Sequence, residues 1–118
     1  MAYTLVYHPE VKARDVPALN RNVAKRIQRA IENRMTVEPQ RYGEPLRRTL
    51  KGYWKLRAGD YRVVFRIVKT EIWIFAIMHR RDVYQRIEKR FRLFRRMGQR
   101  GSVWVEQHPS VKPSIAAF

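Results

Sequence analysis

Three runs of strand-forming residues crowd the middle of the chain, and the turns between them are too short for anything but a reversal. The runs are Gly52 to Arg57, Tyr61 to Val68, and Ile72 to Met78. Ala58-Gly59-Asp60 separates the first two, and Lys69-Thr70-Glu71 separates the second and third. Connections of this length join antiparallel neighbours, so the segment is expected to fold as a β-meander. Every residue of the third run is apolar. A strand apolar on both faces belongs in the interior of a sheet.

The flanks complete the element list. Tyr3 to Tyr7 is rich in strand formers and is stopped by Pro9. Leu19, Val23, Ile27, Ala30 and Ile31 recur at helical spacing, with Arg21, Lys25, Arg26, Arg29 and Arg34 mostly on the other side. Asp15 is expected to cap this helix, with Pro17 in its first turn. Val37 to Arg48 reads as a loop, broken by Pro39, Gly43 and Pro45. A last helix is expected from Asp82 to Met97, with Tyr84, Ile87, Phe91 and Phe94 as its apolar stripe and arginines elsewhere. The class is therefore α+β: a small antiparallel sheet, made of an N-terminal strand and the three-stranded meander. The helices are expected to pack on one face and leave the other partly open. Residues 1–97 read as a single domain and 98–118 as a C-terminal tail.

The length of 118 residues allows little beyond one such domain. Cysteine is absent, which removes disulfides and thiolate metal sites. No stretch resembles a signal peptide or a bilayer span, so a cytoplasmic protein without membrane contact is expected. Lys and Arg number 26 against 10 Asp and Glu, for a formal net charge of +16. Such a field concentrates anions, and guanidinium forks match phosphate geometry and stack on bases. Nucleic acid, and RNA first, is the expected partner class.

No glycine-rich phosphate loop, nucleophile elbow or paired acid/base carboxylates occur. The three histidines are scattered, so neither a metal site nor a cofactor is expected. What remains is cations and aromatics on the meander. Residues two apart on a strand share a face. Tyr53, Lys55 and Arg57 therefore point one way, and Arg62, Val64 and Arg66 form a matching set. If these faces coincide, Lys55, Arg57, Arg62 and Arg80 or Arg81 surround one spot able to hold a phosphodiester and stack a base. Lys51, Tyr53, Arg57 and Arg81 are the expected RNA-binding residues around it. Individually, each is an ordinary solvated side chain or core edge.

Leu50-Lys51-Gly52-Tyr53-Trp54-Lys55-Leu56-Arg57-Ala58-Gly59-Asp60-Tyr61-Arg62, followed by His79-Arg80-Arg81-Asp82-Val83-Tyr84, resembles the RelE/ParE superfamily of bacterial and archaeal toxins. The resemblance spans roughly residues 3 to 90. It implies a small antiparallel sheet with helices and, for the RelE-type branch, a ribosome-dependent endoribonuclease that cuts mRNA and inhibits translation. It also implies a cognate acidic, RelB-like antitoxin and a toxin–antitoxin hetero-oligomer. By matching positions, Lys55 corresponds to a catalytic lysine, Arg62 to the arginine of the Tyr-Arg pair, Arg80 to the arginine after the last strand, and Tyr84 to the C-terminal tyrosine. His79 is an alternative base. Two positions depart from the pattern: Tyr53 stands where many RelE enzymes have a second lysine, and Met78 where glycine is common.

The expected chemistry needs no metal. The neighbouring 2′-OH attacks the phosphate, and a base, a phosphorane stabiliser and an acid share the work. Two other functions stay open: a ParE-like, non-enzymatic toxin acting on DNA gyrase, and an RNA-binding module with degenerate catalysis.

Overall fold

The fold was established from a computed structural model, in which the structure describes residues 3–46, 52–96 and 118. Five strands form one sheet: β1 (Thr4–Tyr7), β2 (Gly43–Pro45), β3 (Trp54–Ala58), β4 (Tyr61–Val68) and β5 (Glu71–His79). Their spatial order is β1-β5-β4-β3-β2. The meander β3-β4-β5 is antiparallel, as its short turns require. Gly59 supplies the left-handed residue of the first turn, at φ +63°. β5 lies inside the sheet between β1 and β4, as its unbroken apolar run demands. β1, by contrast, runs parallel to β5, with Thr4 opposite Glu71 and Tyr7 opposite Ile74. These two strands are far apart in sequence, so no tight turn dictates their relative direction.

The α+β class stands, but the helices do not share one face. Helix α1 (Arg21–Ala30), extended by a wider π-type turn over Ile31–Met35, covers one side of the sheet. There Ile27, Ile31 and Met35 pack with Leu56, Val63, Phe65, Ile72 and Ile74. Helix α3 (Val83–Arg96) covers the other side, where Val83 and Ile87 pack with Val64, Phe75, Ala76 and Met78. The physical reason lies in β5, which is apolar on both faces and, with Val63 and Phe65 on one side and Val64 on the other side of β4, supplies two cores. Of the expected stripe on α3, Ile87 is fully buried and Tyr84 packs at the edge of the second core. The Phe91 and Phe94 side chains lie outside the described residues, as does the tail 98–117.

Two local expectations are corrected. Asp15 does not cap α1. Asn20 does so, its side chain accepting from the Val23 amide at 2.9 Å, an interaction worth about 1 kcal/mol. The segment expected to be a loop also contains structure: the short helix α2 (Pro39–Tyr42) leads directly into β2, which pairs antiparallel with β3. Gly43 is required at that junction. A Cβ there would stand 2.7 Å from Phe65 Cζ and 2.9 Å from the Pro39 carbonyl oxygen.

Candidate functional site

Strand register decides which cations meet. Lys55 lies opposite Val64, Arg57 opposite Arg62, and Arg62 opposite Met78. Val64 and Met78 belong to the α3-side core, so Lys55, Arg57 and Arg62 all project on the face that α3 covers. Tyr53 packs against the same core. The expected convergence of β3 and β4 side chains on one face is therefore present, beside a helix rather than on an open sheet.

Tyr84 arrives from the first turn of α3. The Lys55 ammonium donates to its hydroxyl at 3.4 Å and lies 5.4 Å from the ring centroid. Both side chains are half-buried. The hydrogen bond is longer than an ordinary N–H···O bond. The cation–ring contact also holds the two groups together.

Arg62 folds towards the β3–β4 turn. Its Nη1 donates to the Gly59 carbonyl at 3.0 Å and to the Tyr61 carbonyl at 2.9 Å. Arg80 reaches the same turn: its amide donates to the Asp60 carbonyl at 2.8 Å, and its Nε lies 3.9 Å from the Asp60 carboxylate. That ion pair is largely exposed, and exposed pairs hold side chains weakly. One turn thus gathers two of the predicted arginines, while the Lys55–Tyr84 pair sits further along the same face.

His79 is placed elsewhere. It pairs with Tyr61 in the β4–β5 ladder, and the two rings meet edge to face at 5.4 Å. Tyr61 packs on the α1-side core, so His79 projects away from Lys55. Its Nδ1 accepts from the Arg81 amide at 3.2 Å, which keeps the proton of the neutral ring on Nε2. Arg81 itself is exposed. Arg57 is held by Glu44 of β2 at 3.3 Å. Tyr53 lies edge-on to Phe75, with the Arg66 guanidinium 5.6 Å from its ring centroid. Lys51 lies outside the described residues.

Glu44 is the site residue that sequence reasoning misses. It sits directly across from Lys55 in the β2–β3 ladder and brings a carboxylate to a face expected to be almost purely cationic. Only the pairing of β2 with β3 puts it there, and β2 has no strand signature. A second cationic feature lies on the α1 side: a groove of about 570 Å³ between α1 and the end of β3, where Lys25, Arg26, Arg29 and Arg34 supply the charge. Among the described residues no three His, Cys, Asp or Glu side chains cluster as metal ligands would, and no helix is long and apolar enough to cross a membrane.

Comparison with known proteins gives this site a context. The family described as "ParE toxin of type II toxin-antitoxin system, parDE" matches residues 5–84. The chain is 43% identical to Toxin RelG of Mycobacterium tuberculosis over 54 residues, which are 44% of this chain and 62% of that toxin. The match thus spans less than two thirds of RelG. The structure of the toxin–antitoxin complex RelBE2 from Mycobacterium tuberculosis superposes with a TM-score of 0.60 at 29% identity, covering 67% of this chain and 99% of that one. The RelB–RelE antitoxin–toxin complex from Methanococcus jannaschii has the same fold, with a TM-score of 0.51 at 17% identity over 68% of this chain and 95% of that one. The family match covers well over half of the chain and contains α1, all of β1 but Thr4, the other four strands and Tyr84. The chain belongs to the ParE toxin family of type II toxin–antitoxin systems, within the RelE/ParE superfamily.

Proposed function

We propose that this protein is a toxin that cuts mRNA presented by the ribosome, and that Lys55, Arg62, Arg80 and Tyr84 carry the reaction. The observation that supports it most is the Lys55–Tyr84 contact on the face that also holds Arg62. A proton-carrying pair and a guanidinium beside one another form the minimum set for phosphodiester transesterification.

In this reading Lys55 acts as the free amine: the 2′-oxygen attacks the adjacent phosphorus and its proton passes to the Lys55 nitrogen, leaving an ammonium that donates to the Tyr84 hydroxyl. Arg62 stabilises the phosphorane. Its two bonds to the turn use Nη1, so the fork is already oriented and its Nε–Nη2 edge is available to a phosphate. The P–O5′ bond breaks, Arg80 stabilises the leaving oxygen, which takes its proton from water, and the products are a 2′,3′-cyclic phosphate and a 5′-hydroxyl. Tyr53 and Arg57 border the RNA path. A site with such modest acid and base groups depends on accurate substrate positioning, which a ribosome supplies.

The cationic faces of α1 and α3 serve attraction to ribosomal RNA and to an acidic cognate antitoxin that holds the toxin inactive in a hetero-oligomer. Residues 1–97 act as the toxin domain and 98–118 as an appended tail. The match to a ParE model favours one second reading, a non-enzymatic toxin acting on DNA gyrase. Primer extension on translated mRNA after induction separates the two. Discrete cuts support the nuclease; intact mRNA with a DNA-damage response supports the gyrase inhibitor.

A further inference from the structure

The edge of β5 poses a problem that the fold solves with side chains. β1 pairs with β5 only as far as Tyr7 opposite Ile74, and the His8 amide then donates to the Ile74 carbonyl at 2.8 Å. β5 continues to His79. Its register against β4 shifts at this point: Val64 faces Ala76 and Phe65 faces Ile74, so Phe75 is an extra, bulged residue. Backbone groups beyond the end of β1 need partners. Asp15 supplies one by accepting from the Ile77 amide at 2.9 Å, and Arg90 supplies another by donating from Nη1 to the Phe75 carbonyl at 2.9 Å. The two side chains also pair with each other through two bonds of 3.0 Å, Nη1 to Oδ2 and Nη2 to Oδ1. Their exposures are only 13% for Arg90 and 8% for Asp15.

Arg90 belongs to α3, and Asp15 to the helical turn Val11–Asp15 after β1. Three separate segments therefore meet at one bidentate ion pair. Apart from Tyr84 and its contact with Lys55, the described α3 side chains that pack on the sheet, Val83 and Ile87, are apolar. Apolar burial is non-directional and tolerates rotation or sliding of a helix. A buried fork bonded at fixed angles does not. Arg90 lies six residues beyond Tyr84, roughly 9 Å along the helix axis at 1.5 Å per residue. It therefore fixes the azimuth of the helix that carries Tyr84.

We propose that Asp15 and Arg90 are positioning residues for the candidate site: their ion pair, anchored on the β5 bulge, sets the rotation of α3 that directs the Tyr84 hydroxyl at Lys55. Neither touches Lys55 or substrate. The effect on cleavage rests on the function proposed above; the effect on the Lys55–Tyr84 contact does not.

The test uses the full-length chain and two conservative variants. Arg90→Lys keeps the charge but loses the fork, and Asp15→Asn keeps an acceptor for the Ile77 amide but loses the charge. In solution NMR, the wild type should show cross-peaks between the Lys55 side chain and the Tyr84 ring, and Arg90→Lys should lose them while the α1-side core signals stay. Cleavage of mRNA on ribosomes should fall about tenfold in kcat with KM little changed. Tyr84→Phe should cost activity in the wild type and almost nothing further in Arg90→Lys, because the hydroxyl is already misdirected. A folded Arg90→Lys that keeps the cross-peaks, or a Tyr84→Phe effect that multiplies with it, overturns the proposal. If Arg90→Lys does not fold, Asp15→Asn is read by the same criteria. If the wild type cuts no mRNA, the proposed function fails and the cross-peaks alone decide this inference.

Discussion

The Lys55 ammonium of β3 donates to the Tyr84 hydroxyl of α3 at 3.4 Å, joining residues 29 positions apart. Neither strand nor helix alone makes this pair. β3 turns Lys55 to the face that also holds Val64, and Val83 and Ile87 seat α3 on that face. The second core is thus what brings the candidate site together.

The pair itself predicts a graded pair of phenotypes. Lys55→Met should lower ribosome-dependent cleavage by about 10²-fold or more, the usual scale for a lost proton-transfer group. Tyr84→Phe removes only the hydroxyl and should cost less, since the ring remains. Rates measured by primer extension on purified ribosomes, with circular dichroism confirming the fold, check both. Equal rates in the wild type and Lys55→Met would remove Lys55 from the mechanism.

The two cores should be energetically separate. Ile27 and Ile87 are both fully buried, on opposite sides of the sheet. Truncation of either to Ala is expected to cost about 2–5 kcal/mol. Residues without shared partners are additive to within about 0.5 kcal/mol. Urea unfolding of the two single variants and the double variant measures this. Strong non-additivity would mean that the helices share one core after all.

Gly43→Ala should destabilise the protein by about 1–3 kcal/mol, because the new methyl overlaps Phe65 and the Pro39 carbonyl. Shortening the ring with Phe65→Leu should lessen the penalty when the two changes are combined. Thermal melts of the three variants test this. A Gly43→Ala variant that melts like the wild type would argue against the close approach of β2 to Phe65.

Tyr7 predicts a pH dependence at the alkaline end. Burial, and secondarily the Glu32 charge, raise its phenol well above the ordinary value of 10.0. The folded state therefore favours the protonated phenol, whereas the unfolded chain releases the proton near that ordinary value. Its contribution to stability is complete below that pH and is lost as pH rises above it. Denaturation midpoints should fall above that pH in the wild type and fall less steeply in Tyr7→Phe. Identical slopes would exclude Tyr7 as the cause.

Much of the meander was legible because turn length and alternation act locally. The bounds of β4 and the joint facing of Lys55, Arg57 and Arg62 follow from Gly59-Asp60 and a period of two. The position of α3 was not legible from one helix, since its stripe is compatible with either face of a sheet. What selects the face is Val64, Phe75 and Met78, apolar residues of interior strands that demand cover on a second side. Asp15 shows the same limit. It has the composition of an N-cap and stands near a helix start, but its partner, Arg90, is 75 positions away. Glu44 was missed because β2 is only three residues long and includes Gly43 and Pro45, which read as loop. His79 is expected as an alternative base, but strand alternation turns it with Tyr61 to the face opposite Lys55.

The central claim is that the positive charge on the α3-covered face performs chemistry at Arg62. The most direct measurement is cleavage of a defined mRNA on purified ribosomes by wild type and by Arg62→Ala, with the fold of each verified. The account predicts discrete cuts ending in 2′,3′-cyclic phosphate for the wild type, and a loss of about 10²–10³-fold for Arg62→Ala, the scale of a removed oxyanion stabiliser. A folded Arg62→Ala protein that cuts at the wild-type rate would contradict it.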